Sequence, residues 1–98
     1  MYRGTTPTNV FTVDVDLTDA EVLYVTYKQG SRVAFEKSKS GVIVEADRLT
    51  VTLSQIETLS LSPGDVDIQI RARFGNGSAI ASNVIHTTAN AVLKDGVI

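Results

Sequence analysis

The chain has no cysteine and no tryptophan, and only one histidine, one methionine and two prolines among its 98 residues. Without cysteine there is no disulfide framework, no thiol nucleophile and no Cys-ligated zinc or iron–sulfur site. A single histidine excludes a metal centre built from several histidines of one chain. Charge of neither sign dominates: nine Lys and Arg stand against eleven Asp and Glu, a net charge of −2. That balance gives no electrostatic reason to bind nucleic acid or an anionic membrane. No apolar run approaches the roughly 18 residues of a membrane-spanning helix. The opening Met1–Pro7 lacks the apolar stretch of a secretory signal. The expectation is a protein made in a cytoplasm, which leaves it only as part of a larger particle.

The chain is rich in β-branched residues. Thirteen Val, seven Ile and eleven Thr are present, and residues of this kind favour strands. A chain this long forms one domain, residues 1–98. Residues 1–7 read as an N-terminal arm and residues 89–98 as an apolar C-terminal segment. Such a domain buries roughly 60–70% of its unfolded surface, enough for one modest core and not for a deep substrate cavity as well.

Alternation of apolar and polar residues marks the strands. Phe11, Val13 and Val15 share one face. Leu23, Val25 and Tyr27 alternate with Tyr24, Thr26 and Lys28. The turn Gln29-Gly30-Ser31 leads into Val33, Phe35 and Lys37, again on one face. Val42-Ile43-Val44 is a short apolar run, and Leu49, Val51 and Leu53 alternate with Thr50 and Thr52. Ser54-Gln55-Ile56-Glu57 has capping-box spacing, which predicts one helical turn near residues 54–59, docked through Ile56 or Leu59. Ser62-Pro63-Gly64-Asp65 fits a type II turn. Val66, Ile68, Ile70, Ala72 and Phe74 form the clearest apolar face, and Gly75-Asn76-Gly77 signals a hairpin. Ile80 and Ile85 are out of phase by one residue, which predicts a bulge near Ser82-Asn83. About seven strands at this spacing predict an immunoglobulin-like or fibronectin-III-like antiparallel β-sandwich, with a closed barrel as the alternative. The hairpin from Val66 to Gly77 is similar to the final hairpin of fibronectin type III modules.

Few residues invite chemistry. Asp14, Asp16, Asp19 and Glu21 have spacing that suits calcium, yet the glycine of a calcium loop is missing and a turn rich in aspartate is ordinary. His86 and Ser82 lie too far apart along a strand for a nucleophile and its base. Asn76-Gly77-Ser78 matches a glycosylation sequon but reads more simply as a turn. No cofactor, metal or small-molecule substrate is expected, and no enzymatic activity. The interface candidates are Tyr24, Arg71, Arg73, Val92, Leu93, Val97 and Ile98. Tyr24 is expected on the exposed face opposite Tyr27. Arg71 and Arg73 share a face that Lys28 or Arg32 would extend into a basic patch, or they pair with Asp67 or a Glu across strands. The apolar ending is expected to dock, equally on its own sheet or on a neighbour.

Several segments together carry a resemblance. They are Met1-Tyr2-Arg3-Gly4-Thr5-Thr6-Pro7-Thr8, Val25-Thr26-Tyr27-Lys28-Gln29-Gly30, Ile70–Ser82 and Val92-Leu93-Lys94-Asp95-Gly96-Val97-Ile98. The chain resembles short structural proteins encoded in phages and prophages of Gram-positive gut bacteria. It is also similar in pattern to the N-terminal β-sandwich of phage upper-baseplate proteins. The resemblance implies a virion component made in the host cytoplasm, associated with the tail or baseplate. Its partners would be other tail proteins or further copies of itself. A carbohydrate- or cell-surface-binding module is the alternative, for which only Tyr2, Tyr24 and one or two Phe are available as exposed aromatics.

Overall fold

The computed structural model describes residues Met1–Ile98. Eight strands follow the alternation: β1 (Thr8–Thr12), β2 (Ala20–Gln29), β3 (Arg32–Ser38), β4 (Ile43–Val44), β5 (Arg48–Thr52), β6 (Gly64–Phe74), β7 (Ala79–Ala81) and β8 (Ile85–Ala89). One helical turn, α1 (Gln55–Leu59), lies between β5 and β6. The strands form two antiparallel sheets. One has the order β1-β5-β4, and the other has the order β3-β2-β6, with β7 and β8 both on the far side of β6. Leu23, Val25 and Tyr27 of β2 and Val66, Ile68, Ile70 and Ala72 of β6 meet Leu49 and Val51 of β5 between the sheets. Removing each such side chain from water contributes about 1.5–3 kcal/mol, so the fold is a β-sandwich around one apolar core.

The expected seventh strand is split into β7 and β8. Arg71 faces Ala81 and Ile68 faces Ile85, so the returning strand spends one residue more than β6 over this stretch. Ser82 repairs the break. Its amide donates to the Ile70 carbonyl at 2.9 Å, and its hydroxyl accepts the Ile70 amide at 3.0 Å. The expected bulge is therefore present, and a side-chain oxygen stands in for a missing backbone acceptor.

Three local expectations are corrected. Val33 does not share the face of Phe35, because the β2–β3 register shifts between Tyr27 and Lys28, which leaves Ala34 as the extra residue. Val33 is consequently exposed. The Pro63-Gly64 corner is not a type II turn. Gly64 has φ +134° rather than the roughly +80° such a turn needs, and it already begins β6. The corner is held instead by the Gln29 side chain, which donates to the Ser62 carbonyl at 2.7 Å and accepts the Ser62 amide at 2.9 Å. In α1 the capping box forms as expected, Ser54 and Glu57 each closing the other's free amide. Neither Ile56 nor Leu59 supplies the buried anchor. Ile56 is 72% exposed and Leu59 is half-buried, while Thr58 is fully buried with its hydroxyl on the Thr5 carbonyl at 2.8 Å.

Both termini meet at the α1 end. The Met1 ammonium donates to the Thr88 carbonyl at 2.6 Å, the Asn90 amide to the Met1 carbonyl at 2.7 Å and the Arg3 amide to the Asn90 carbonyl at 2.9 Å. Met1–Arg3 thus lies parallel along the end of β8. The chain then turns at Gly4-Thr5 and crosses to the other sheet, where the Pro7 carbonyl accepts the Leu53 amide.

Candidate interaction surfaces

Two surfaces carry the candidate interface residues, and a third carries none of them. The first is the outer face of the larger sheet. Strand alternation sends Tyr27 inward and Tyr24 outward, where Tyr24 is 45% exposed. Register places Tyr24 directly opposite Arg71 on β6, within side-chain reach. Arg73 stands two residues further along the same face. Val22, Tyr24, Thr26, Glu36, Arg71 and Arg73 line a shallow depression of about 440 Å³. The cations are not extended by Arg32, whose guanidinium turns to the Gln29 side chain and the Ser60 carbonyl. Lys28 lies on this face at the Asp67 level, away from Arg71. Arg73 approaches Glu21 at 3.8 Å with both side chains about half exposed, and Asp67 takes His86 instead, at 2.6 Å. An Arg–Glu pair this exposed contributes about 0–1 kcal/mol, so the pairing leaves the arginines available to a partner.

The second surface is the C-terminal segment. After β8 its main chain returns to its own domain. Asp95 meets Arg3 at 3.0 Å. The Ile98 amide donates to the Gln55 side-chain carbonyl at 2.9 Å, while the Gln55 amide donates to the Ile98 carbonyl at 3.2 Å. Arg3 is itself anchored on the Leu59 and Leu61 carbonyls. These are polar anchors, and they leave the apolar side chains outside. Val92 is half-buried, Leu93 is fully exposed, Val97 is 60% exposed and Ile98 is 85% exposed.

The third surface was not anticipated. An open groove of about 490 Å³ lies where the free edge of β1 faces the free edge of β7. Phe11, Val13, Ile80 and Ile85 line it, with Asp14 at its rim. Strand β1 ends at Thr12, so Val15 leaves the core face expected for it and borders this groove. The phase slip between Ile80 and Ile85 was the only signal in the sequence, since it marks where the covering strand breaks.

The remaining candidates have local roles. Asp16 accepts the amide and hydroxyl of Thr18, which hold its carboxyl below the ordinary carboxylate value. Glu21 turns toward Arg73, and Asp14, Asp16, Asp19 and Glu21 do not gather into a metal-binding group. The Ser82 hydroxyl is engaged with Ile70 and the Asn83 carbonyl. Asn76 accepts the amide and hydroxyl of Ser78 inside the hairpin turn. No protein-family model, no curated protein and no solved structure matches this chain.

Proposed function

We propose that this chain is a non-enzymatic structural or adaptor module of a phage or prophage particle, associated with the tail or baseplate and acting through protein–protein contacts. The observation that carries the reading is the C-terminal segment. Gln55 holds the main chain at Ile98 and Arg3 holds the Asp95 carboxylate, while Leu93, Val97 and Ile98 are exposed to solvent. Apolar side chains held out on a fixed backbone lose little conformational freedom on docking, which favours association. Tyr24, Arg71 and Arg73 on the outer sheet face add residue types enriched at interfaces.

The same reading extends to the fold. We infer an immunoglobulin-like sandwich, because the strand order supports it. Strands β1, β5 and β4 stand in the order of B, E and D in such domains, and β3, β2, β6 and β7–β8 in the order of C′, C, F and G. The setting in a phage particle rests on the resemblance of the quoted segments.

Mass spectrometry of particles purified from an induced host that carries the gene tests the function. The chain is expected in the particles at a fixed copy number, and Tyr24→Ala with Arg71→Glu is expected to deplete it. Its recovery only as free protein, outside the particles, would overturn the reading.

A further inference from the structure

We propose that Asn76, at the tip of the β6–β7 hairpin, is a self-modification site. Its side-chain amide cyclises onto the Gly77 main-chain nitrogen and hydrolyses to a carboxylate, at a rate set by how often the folded turn opens. The inference uses no part of the assembly reading, and the two stand or fall separately.

Asparagine is chemically labile. The Gly77 nitrogen gives its proton to hydroxide and bonds to Asn76 Cγ, and the side-chain nitrogen leaves as ammonia, taking a proton from water. The resulting five-membered succinimide takes up one water. Opening at the side-chain carbonyl gives an aspartyl residue. Opening at the main-chain carbonyl gives isoaspartate, whose backbone is longer by one methylene. The sum is amide and water to carboxylic acid and ammonia, with nothing oxidised or reduced.

Position singles out Asn76 among the four asparagines. Asn9 and Asn83 precede valines and Asn90 precedes an alanine, and those side chains crowd the attacking nitrogen. Gly77 has none. Asn9 is further committed, because its side-chain amide donates to the Tyr27 hydroxyl at 2.7 Å. Asn76, Gly77 and Ser78 are all exposed, so water and hydroxide reach them. The nitrogen that must leave Asn76 has no protein partner, since both side-chain hydrogen bonds fall on its oxygen.

The closed turn withholds the reaction. The Gly77 amide donates to the Phe74 carbonyl at 2.9 Å, so the attacking nitrogen is engaged. The Asn76 carbonyl oxygen accepts the Ser78 amide at 3.0 Å and the Ser78 hydroxyl at 2.7 Å, which fixes the carbon that must swing to that nitrogen. The gate is weak. Strand β7 has only three residues, all exposed, and a hairpin end of this kind opens locally at little cost.

The two products differ in effect. A carboxylate in this place still accepts both Ser78 bonds, so the aspartyl product keeps the turn and adds one negative charge. The longer backbone of isoaspartate breaks the spacing that lets the Phe74 amide donate to the Ser78 carbonyl at 2.8 Å. That product loosens β7 from β6.

Peptide mapping by mass spectrometry tests this on the full chain, aged in mildly alkaline buffer made with heavy-oxygen water. Conversion is expected at Asn76 alone, with one labelled oxygen per event and both products present. The same chain in urea should convert faster, because no turn forms. Ser78→Ala removes one bond of the gate and should raise the folded-to-unfolded rate ratio about two- to tenfold. Asn76→Gln keeps the amide without the five-membered ring and should stay unlabelled there. Hydrogen exchange should find the Phe74 amide faster in the isoaspartyl fraction. A folded chain that does not convert at Asn76 would overturn the proposal. So would conversion at Asn83 or Asn90 as well, labelling of the Asn76→Gln variant at that position, or a rate ratio that Ser78→Ala leaves unchanged or lowers.

Discussion

The hydroxyl of Tyr27, on β2, accepts a 2.7 Å hydrogen bond from the side-chain amide of Asn9, on β1. This bond joins the two sheets through the core. Tyr27 is fully buried and stacks on Phe35 with ring centroids 4.5 Å apart. Burial, assisted by the charge of Glu57 and opposed by the Asn9 bond, pushes the phenol up to about 12. Tyr27→Phe keeps the stacking and removes the bond, and it should cost about 1 kcal/mol in urea denaturation. The pH dependence has a definite sign. The folded state holds the phenolic proton more tightly than the unfolded chain does. Stability from this group is complete below about pH 10 and is lost as pH rises toward 12. The Tyr27→Phe variant should lack that alkaline slope, and a slope equal to the wild type would rule Tyr27 out as its source.

A second prediction concerns acid. Glu57 closes the cap of α1 by accepting the Ser54 amide at 2.8 Å, and it also takes the Lys37 ammonium at 3.0 and 3.1 Å. Burial alone would raise its carboxyl, but the Ser54 amide and the Lys37 charge outweigh that and hold it below its ordinary value. Its contribution is present above about pH 4.5 and is lost as pH falls through the depressed folded value. Glu57→Gln should destabilise the fold by about 1 kcal/mol at neutral pH. It should also flatten the stability profile below about pH 4.5, as followed by thermal melts. An unchanged acid profile would count against the pairing.

Ser82→Ala tests the repair of the broken strand. The Ile70 amide would lose its acceptor, and a loss of about 1 kcal/mol is expected. Hydrogen exchange offers the sharper readout, since the Ile70 amide should exchange faster while that of Val25, in the middle of β2, does not.

Thr58→Val separates size from polarity in α1. The side chains are nearly the same volume, so what disappears is the hydroxyl's bonding, chiefly to the Thr5 carbonyl at 2.8 Å and more weakly to the Gln55 and Ser54 carbonyls within α1. A destabilisation of about 1–2 kcal/mol is expected, with loss of protection at the Gly4-Thr5 turn. A neutral effect would mean that packing alone holds the turn.

Much of this architecture was legible in the sequence. Val66–Phe74 alternates cleanly because Val66, Ile68, Ile70 and Ala72 on one face of β6 are all buried, and period-two patterning is strongest under that condition. The same rule separated Tyr24 from Tyr27 and put Arg71 and Arg73 on one face, while their place beside Tyr24 came only with the β2–β6 register. The shift at Ala34 was hidden because Val33 and Phe35 look equally apolar, so nothing in their identities marks which one leaves the core. Ile56 outranked Thr58 on hydrophobicity, yet helical geometry turns Thr58 toward the sandwich and satisfies its hydroxyl there. The C-terminal anchors were unreadable for another reason. Arg3 and Asp95 lie 92 positions apart, and Gln55 binds main-chain atoms, which carry no sequence signature.

The pairing of Met1–Arg3 with Thr88–Asn90 also bears on how the chain is made. A ribosome delivers the N-terminal strand first, and the Thr88 carbonyl that receives its ammonium 87 positions later. Synthesis proceeds at about 5–20 residues per second, so this strand waits several seconds for its site. During that interval the edge of the nascent sandwich stays open. Closure of this edge is therefore among the last contacts that the order of synthesis allows.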